Sequence, residues 1–256
     1  MNSYRSVTAL LCAAALTACS KDALQDITGP ASGGSIRFFN FGVNAPGVNF
    51  YANDAKLTAI TSATGAEAVL GTTYGTAGNA GLYSAVAAGS YTFAGKIAAA
   101  TDKDVAVSKV TATVADGKYY SFFMSGFYDA AVKSVEGFVV EDALPAQGDY
   151  NVAYVRFVNA ISNSSPMILY AKNTSTGTEI AVGASVPYKS GGAFTALPTG
   201  VYDLSTRNVG SATSAIARTG VAFIAGRAVT IGARGDMTVV STTATNRPML
   251  DVTLNR

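Results

Sequence analysis

From residue 35 onward the chain is written twice, and that repetition limits the fold more than any other feature. Ile36-Arg37-Phe38-Phe39-Asn40 recurs as Val155-Arg156-Phe157-Val158-Asn159, with a proline soon after each asparagine, at Pro46 and Pro166. Tyr51-Ala52 then matches Tyr170-Ala171, Gly89-Ser90-Tyr91 matches Gly200-Val201-Tyr202, and Gly117-Lys118-Tyr119 matches Gly226-Arg227-Ala228. Each copy closes an apolar run on a glycine, Gly126 or Gly235. The first arginine and the Gly-x-Tyr glycine are 52 positions apart in copy one (89 − 37) and 44 in copy two (200 − 156). From that glycine to the next marker the distances are 28 (117 − 89) and 26 (226 − 200), so most of the difference falls in one connection. Insertions collect in loops, where the core does not resist them. A repeat of this length implies two similar units in tandem.

The units read as all-β. Short runs alternate apolar and polar residues between Gly, Asn and Pro, and no stretch sustains a helical period. In the opening strand the period of two sends Ile36 and Phe38 (Val155 and Phe157) to one face and Arg37 (Arg156) to the other. Asn40 and Asn159 are placed to end that strand in an Asx-type turn. In Tyr119-Tyr120-Ser121-Phe122-Phe123-Met124 both faces are apolar, which suits a strand covered on both sides or lying at a contact between units. The aromatics Phe122, Phe123, Phe127 and Tyr128 are therefore assigned to packing and not to a sugar-stacking platform. Residues 141–149 are polar, include Pro145 and Gly148, and read as the linker.

The first nineteen residues read as an export leader. Arg5 is followed by an apolar run over residues 7–15, too short to span a bilayer, and then by Leu16-Thr17-Ala18-Cys19. This resembles the lipobox of bacterial lipoproteins, in which the cysteine is acylated and becomes the mature N-terminus. The resemblance implies a signal peptide over residues 1–18, lipidation of Cys19, and an effectively permanent anchor carrying several acyl chains. Ser20 stands where an aspartate would imply retention in the inner membrane, so the resemblance points to the outer membrane. Residues 19–34 are expected to be the lipidated cysteine and a flexible tether, with the two repeats at 35–145 and 150–256.

The opening V-R-F-V-N-like strand, the Tyr-Ala strand and the later G-x-Y turn together resemble the bacterial envelope family catalogued as domain of unknown function 4397, present here as two copies. The resemblance implies two tandem immunoglobulin-like antiparallel β-sandwich domains and a frequent lipoprotein context. It implies no established activity. Copy one departs from the family pattern at Phe41-Gly42-Val43-Asn44, and copy two lacks the acidic residue in Met167-Ile168-Leu169-Tyr170.

Composition narrows the functional classes. The sequence has no histidine, and its only cysteines are Cys12, in the leader, and Cys19. That removes Ser-His-Asp and Cys-His machinery and the usual ligands of zinc, copper and haem. The net charge of +2 is spread without a basic cluster, so no nucleic-acid partner is expected. Asp102-Lys103-Asp104 reads as a hairpin tip and not a calcium loop. Glu141 and Asp142, adjacent on an extended chain, point to opposite sides and make poor partners for acid/base work on one bond. Lys189-Ser190-Gly191-Gly192 is too short for a nucleotide motif. Residues 71–81 lack the lysine and helix of a phosphate loop.

These residues therefore suggest a non-catalytic envelope module, structural, adhesive or ligand-presenting, with no cofactor and no metal. A carbohydrate- or peptide-binding accessory lipoprotein of an uptake system is the first alternative, and a carboxylate-only hydrolase the second. Any protein or glycan partner is expected at the longer loop of copy one, where Tyr74, Asn79 and Tyr83 set rigid rings among Gly and Thr. Changing Cys19→Ser should release the protein from membranes; a variant that stays in the pellet after a carbonate wash would refute the anchor.

Overall fold

Alternation and turn residues divide each copy into nine strands that correspond one to one. The computed structural model describes residues 32–60, 64–146 and 149–256. The leader over 1–18, Cys19 and the tether as far as residue 31 lie outside the described residues, as do the linker positions 147 and 148. Copy one contains β1 (Gly34–Asn40), β2 (Val48–Ala52), β3 (Ala55–Lys56), β4 (Thr76–Ala77), β5 (Ser84–Val86), β6 (Gly89–Ile97), β7 (Ala106–Val114), β8 (Tyr119–Asp129) and β9 (Ser134–Glu141). Copy two contains β10 (Val152–Asn159), β11 (Met167–Asn173), β12 (Glu179–Val186), β13 (Ser190–Gly191), β14 (Thr195–Pro198), β15 (Gly200–Asn208), β16 (Ile216–Phe223), β17 (Ala228–Arg234) and β18 (Met249–Leu254).

In copy one the sheets run β4-β1-β8-β9, with β5 also on β1, and β3-β2-β6-β7. Copy two repeats them as β13-β10-β17-β18, with β14 on β10, and β12-β11-β15-β16. The protein is all-β, two tandem sandwiches. One pairing in each copy is parallel: β1 runs with β8, Arg37 beside Ser121, and β10 runs with β17, Arg156 beside Thr230. The marker glycines Gly117 and Gly226 sit in the same left-handed conformation, at φ +67° and +72°, where a side chain would be strained. That conformation sets the turn leading into β8 and β17.

Each sandwich has its own core, drawn from both of its sheets. Ile36, Phe38, Phe50, Phe93, Phe122 and Met124 fill the first, and Val155, Phe157, Leu169, Tyr202, Phe223 and Ile231 fill the second. Phe38 stacks on Phe50 at 4.9 Å between ring centres. Asn159 accepts from the Ile161 N–H at 3.1 Å, the expected Asx turn. Asn40 does otherwise: its amide donates to the carbonyls of Pro46 (3.0 Å) and Thr72 (2.9 Å), and its own oxygen has no hydrogen bond. The buried Asn40 amide thereby ties the segment after β1 to the strand-like stretch at Thr72.

A third core lies between the copies. Phe39, Phe41, Phe123 and Phe138 of copy one pack with Val158 and Ala160 of copy two. Phe123 stacks between Phe39 (4.6 Å) and Phe138 (5.2 Å). The sheet of β4, β1, β8 and β9 thus turns its outward face onto the sheet of β13, β10, β17 and β18, making four layers. This is why β8 is apolar on both sides: Tyr120, Phe122 and Met124 enter their own core, while Phe123 enters the shared one. Residues 32–256 accordingly form one compact unit.

Truncating a buried phenylalanine typically costs ~3–5 kcal/mol. Phe123→Ala should therefore lower the denaturation midpoint of both copies together, read by one probe in each during a urea melt; a shift confined to copy one would show that the shared core does not couple them.

Candidate functional site

Two features at the junction of the copies carry polar chemistry, a buried network and an open groove. The network is built from the off-core positions of the central strands. Arg37, Ser121, Asp142, Arg156 and Thr230 are each 2 % exposed or less. Asp142, one residue past β9, accepts from Ser121 Oγ at 2.6 Å, from the Tyr83 hydroxyl and from Arg156 Nη2, and its Oδ2 lies 3.6 Å from Arg37 Nε. Asn255 occupies the corresponding place one residue past β18: it accepts from Thr230 Oγ1 at 2.8 Å and donates to the Tyr83 hydroxyl at 3.1 Å.

The two halves of the network mirror each other. Arg37 Nε donates to Ser121 Oγ at 3.0 Å, and Arg156 Nε to Thr230 Oγ1 at 2.9 Å. Arg37 Nη1 then crosses to the Leu254 carbonyl (3.1 Å), and Arg156 Nη1 to the Glu141 carbonyl (3.0 Å). Each arginine thus satisfies the end of the other copy's last strand. The contact is isologous in pattern, like that of a two-fold dimer, but not in chemistry: a carboxylate at 142 answers an amide at 255, and Tyr83 beside Arg37 answers Phe194 beside Arg156. Two buried guanidiniums face one carboxylate. Burial pulls the Arg37 guanidinium below its ordinary value, against the support of Tyr83 and Asp142. Burial, with Asp142 acting the same way, pushes the Tyr83 hydroxyl well up, so it stays protonated and donates.

Residues 141–149 read as a solvated linker from their polarity; Asp142 is instead the buried centre of the junction, because both arginines reach it. Glu141 points away, to Lys118 at 3.0 Å. The tip at 102–104 joins β6 to β7, with Asp102 paired to Lys133 and Asp104 accepting from Tyr51 at 3.0 Å. Among the described residues no group of three or more acidic, cysteine or histidine side chains is placed to hold a metal.

The loop singled out in copy one divides its residues between the junction and the surface. Tyr83 is spent in the network, with the Arg37 guanidinium 4.8 Å from its ring centre. Tyr74 turns inward beneath Arg234, 5.0 Å from its ring, and its hydroxyl is buried without a hydrogen bond. Arg234 is itself paired to Asp251 of β18, which holds its guanidinium up against the pull of burial. Asn79 is exposed but donates to Leu57 O (2.9 Å) and Ser84 Oγ (3.1 Å). The Tyr74 ring thus packs against copy two, Tyr83 reaches Asn255 of copy two through its hydroxyl, and Asn79 braces the loop.

Sequence reading missed that Tyr74 has a counterpart. Gly75 N donates to Asn40 O and Lys189 N to Asn159 O, which pairs Tyr74 with Tyr188. Tyr188 crosses the other way, donating to Glu136 at 2.7 Å and lying 2.9 Å from Ser125, while Lys189 pairs with Glu136 at 3.0 Å. Those bonds hold the Glu136 carboxyl below the usual range. The junction therefore has a closed edge, where Val140 of β9 lies beside Gly191 of β13, and an open one, between β4 and β18.

The open edge is a groove of about 660 Å³. Phe39 and Phe41 line it, Thr76, Ala77, Ala80 and Leu82 belong to copy one, and Asp251, Thr253 and Leu254 belong to copy two. Its outer wall comes from the insertion. Six residues separate β4 from β5 (78–83), and only three separate β13 from β14 (192–194). The extra length forms a 3₁₀ turn, Gly78–Gly81, in which Asn79 and Ala80 take positive φ (49° and 55°). Non-glycine residues rarely adopt that conformation, and the surroundings must hold them there.

These features define a class: a tandem β-sandwich protein whose repeats lock face to face around a buried arginine–carboxylate network. The model of the family described as Domain of unknown function (DUF4397) matches residues 34–152, from β1 to the first residue of β10, and the chain resembles that family over this span. No curated protein matches the chain.

Removing the carboxylate in Asp142→Asn leaves two buried guanidiniums uncompensated and should cost about 3–5 kcal/mol. The exchange Asp142→Asn with Asn255→Asp restores the charge count on the mirrored side and should recover most of that loss in thermal melts. A double variant no more stable than Asp142→Asn would refute the equivalence of the two positions.

Proposed function

We propose that this chain is a lipid-anchored envelope protein that acts without catalysis, presenting a binding groove at the junction of its two repeats. Anchoring through Cys19, and export toward the outer membrane, rest on Leu16-Thr17-Ala18-Cys19 and Ser20. The observation that carries the binding reading is the added wall. Copy two closes the same sandwich without the turn at Gly78–Gly81; Gly78 anchors that turn in a buried position, and Ala80 and Gly81 line the groove.

The groove has the make-up of a recognition site. It is concave, mainly apolar, bounded by few polar groups and placed between two sandwiches, at the kind of domain interface where binding sites concentrate. A partner there would meet Phe39, Phe41 and Leu82, with Leu82 largely exposed. A hydrolase would need carboxyl groups converging on one bond at roughly 5–9.5 Å. Here Asp251 is held by Arg234, and Asp142 lies inside the network. A binding accessory of an uptake system draws on the same groove and differs only in what the anchored protein stands beside.

The mature protein should enhance the fluorescence of anilinonaphthalene sulfonate, an anionic dye that brightens on exposed apolar surface. Leu82→Glu should remove most of that enhancement and leave the melting temperature within a degree or two, since the side chain is exposed. Undiminished dye binding by the variant places the binding surface elsewhere.

A further inference from the structure

β18 is the edge strand of its sheet, bonded to β17 on one side alone. The Asn255 N–H bonds to Ala228 O on that side, and backbone groups alternate along a strand. Leu250, Val252 and Leu254 therefore turn their backbone groups to the outer edge. Two of the outward carbonyls are taken: Leu250 O accepts from Arg218 Nη1 at 2.6 Å, and Leu254 O from Arg37 Nη1 at 3.1 Å. Between them the N–H and C=O of Val252 are left on the edge, where Val252 lines the groove.

We infer that the groove binds an extended peptide segment of another protein, which adds to the β18 edge as a further strand through Val252. This rests on the groove being the binding surface proposed above. The geometry selects a peptide in three ways. A strand laid beside β18 in the plane of its sheet sends alternate side chains to the face that carries Asp251 and Thr253, which is the face turned toward copy one. Those side chains would descend onto Phe39 and Phe41, which are also members of the shared core, so the bound strand continues an apolar interface already present. At the rim Arg218 is exposed and spends one donor on Leu250, which leaves the rest of its guanidinium for a carboxylate. The fitting partner is thus a β-forming segment with alternating apolar residues and an acidic side chain or free C-terminus beside them. At the closed edge of the junction Val140 and Gly191 meet directly, and Tyr188, Lys189 and Glu136 bar a strand from the equivalent place.

Linear heptapeptides selected from a displayed library on the full mature protein supply the probe. Selected sequences should show apolar alternation with a carboxylate. N-methylation of the amide that faces Val252, located by scanning each position, should weaken binding at least tenfold. Val252→Pro removes the outward donor from an edge position that tolerates proline, and it should abolish binding of the selected peptides while the far-ultraviolet circular dichroism shows the sheets still formed. Arg218→Gln should weaken only the peptides bearing a carboxylate, by about tenfold. Selected peptides indifferent to backbone methylation and to Val252→Pro overturn strand addition. Dye binding without any selected peptide overturns the peptide assignment and leaves the groove as a site for another ligand. If Leu82→Glu changes neither, the groove itself is not the site.

Discussion

Asp142 holds the end of β9 between two arginines that belong to different repeats, and the four-layer arrangement follows from that placement. Ion networks out of contact with water gain little net stability, since desolvation offsets most of the attraction, and apolar replacements of similar shape often do as well. What such a network supplies is position. Arg37 and Arg156 each bond a hydroxyl on the neighbouring parallel strand and then a carbonyl at the end of the other repeat. A shift of one residue in either strand would turn its guanidinium into the apolar core of its own sandwich and leave the carbonyls unsatisfied. The stacked rings of Phe39, Phe123 and Phe138 provide attraction between the faces, and the charged network fixes the register in which they meet.

Much of this was legible in the sequence, down to the alternation that sends Arg37 and Arg156 away from the cores. The doubly apolar strand Tyr119–Met124 announced a covered outer face, and Gly117 and Gly226 marked equivalent turns. The direction of pairing was not legible, because the alternation of Ile36, Arg37 and Phe38 reads the same whichever way the neighbour runs. Asp142 was misjudged for a physical reason: polarity near Pro145 and Gly148 reads as solvent, and only the convergence of two distant guanidiniums reverses that. Its counterpart Asn255 and the pair Tyr74 and Tyr188 escaped notice because strand-by-strand equivalence, unlike a shared motif, appears only once the pairing of β4 and β13 is known.

The long loop shows how one insertion can serve two ends. Its flanking rings, Tyr74 and Tyr83, are absorbed by Arg234 and Asp142, so the loop is stapled at both sides, while the turn between them stands clear as a wall. Composition alone could not separate the rings that anchor from the residues that project. Both are expected of a recognition loop, and burial alone tells them apart.

The parallel pairing of the first strand has a consequence in time. Ser35 finds its neighbour at Tyr119, and Tyr154 finds its own at Ala228, separations of 84 (119 − 35) and 74 (228 − 154) residues. As each repeat emerges, β1 or β10 comes first and has no parallel partner until most of the repeat has followed. Contacts of such long sequence separation belong to slow folding, on a scale of milliseconds to seconds. Asn255 completes the junction only when the last strand is in place, so the lock between the repeats is among the final things to form. A chain built this way keeps its opening strands unpaired until its last segments are made, and its compact body forms late and in one concerted event.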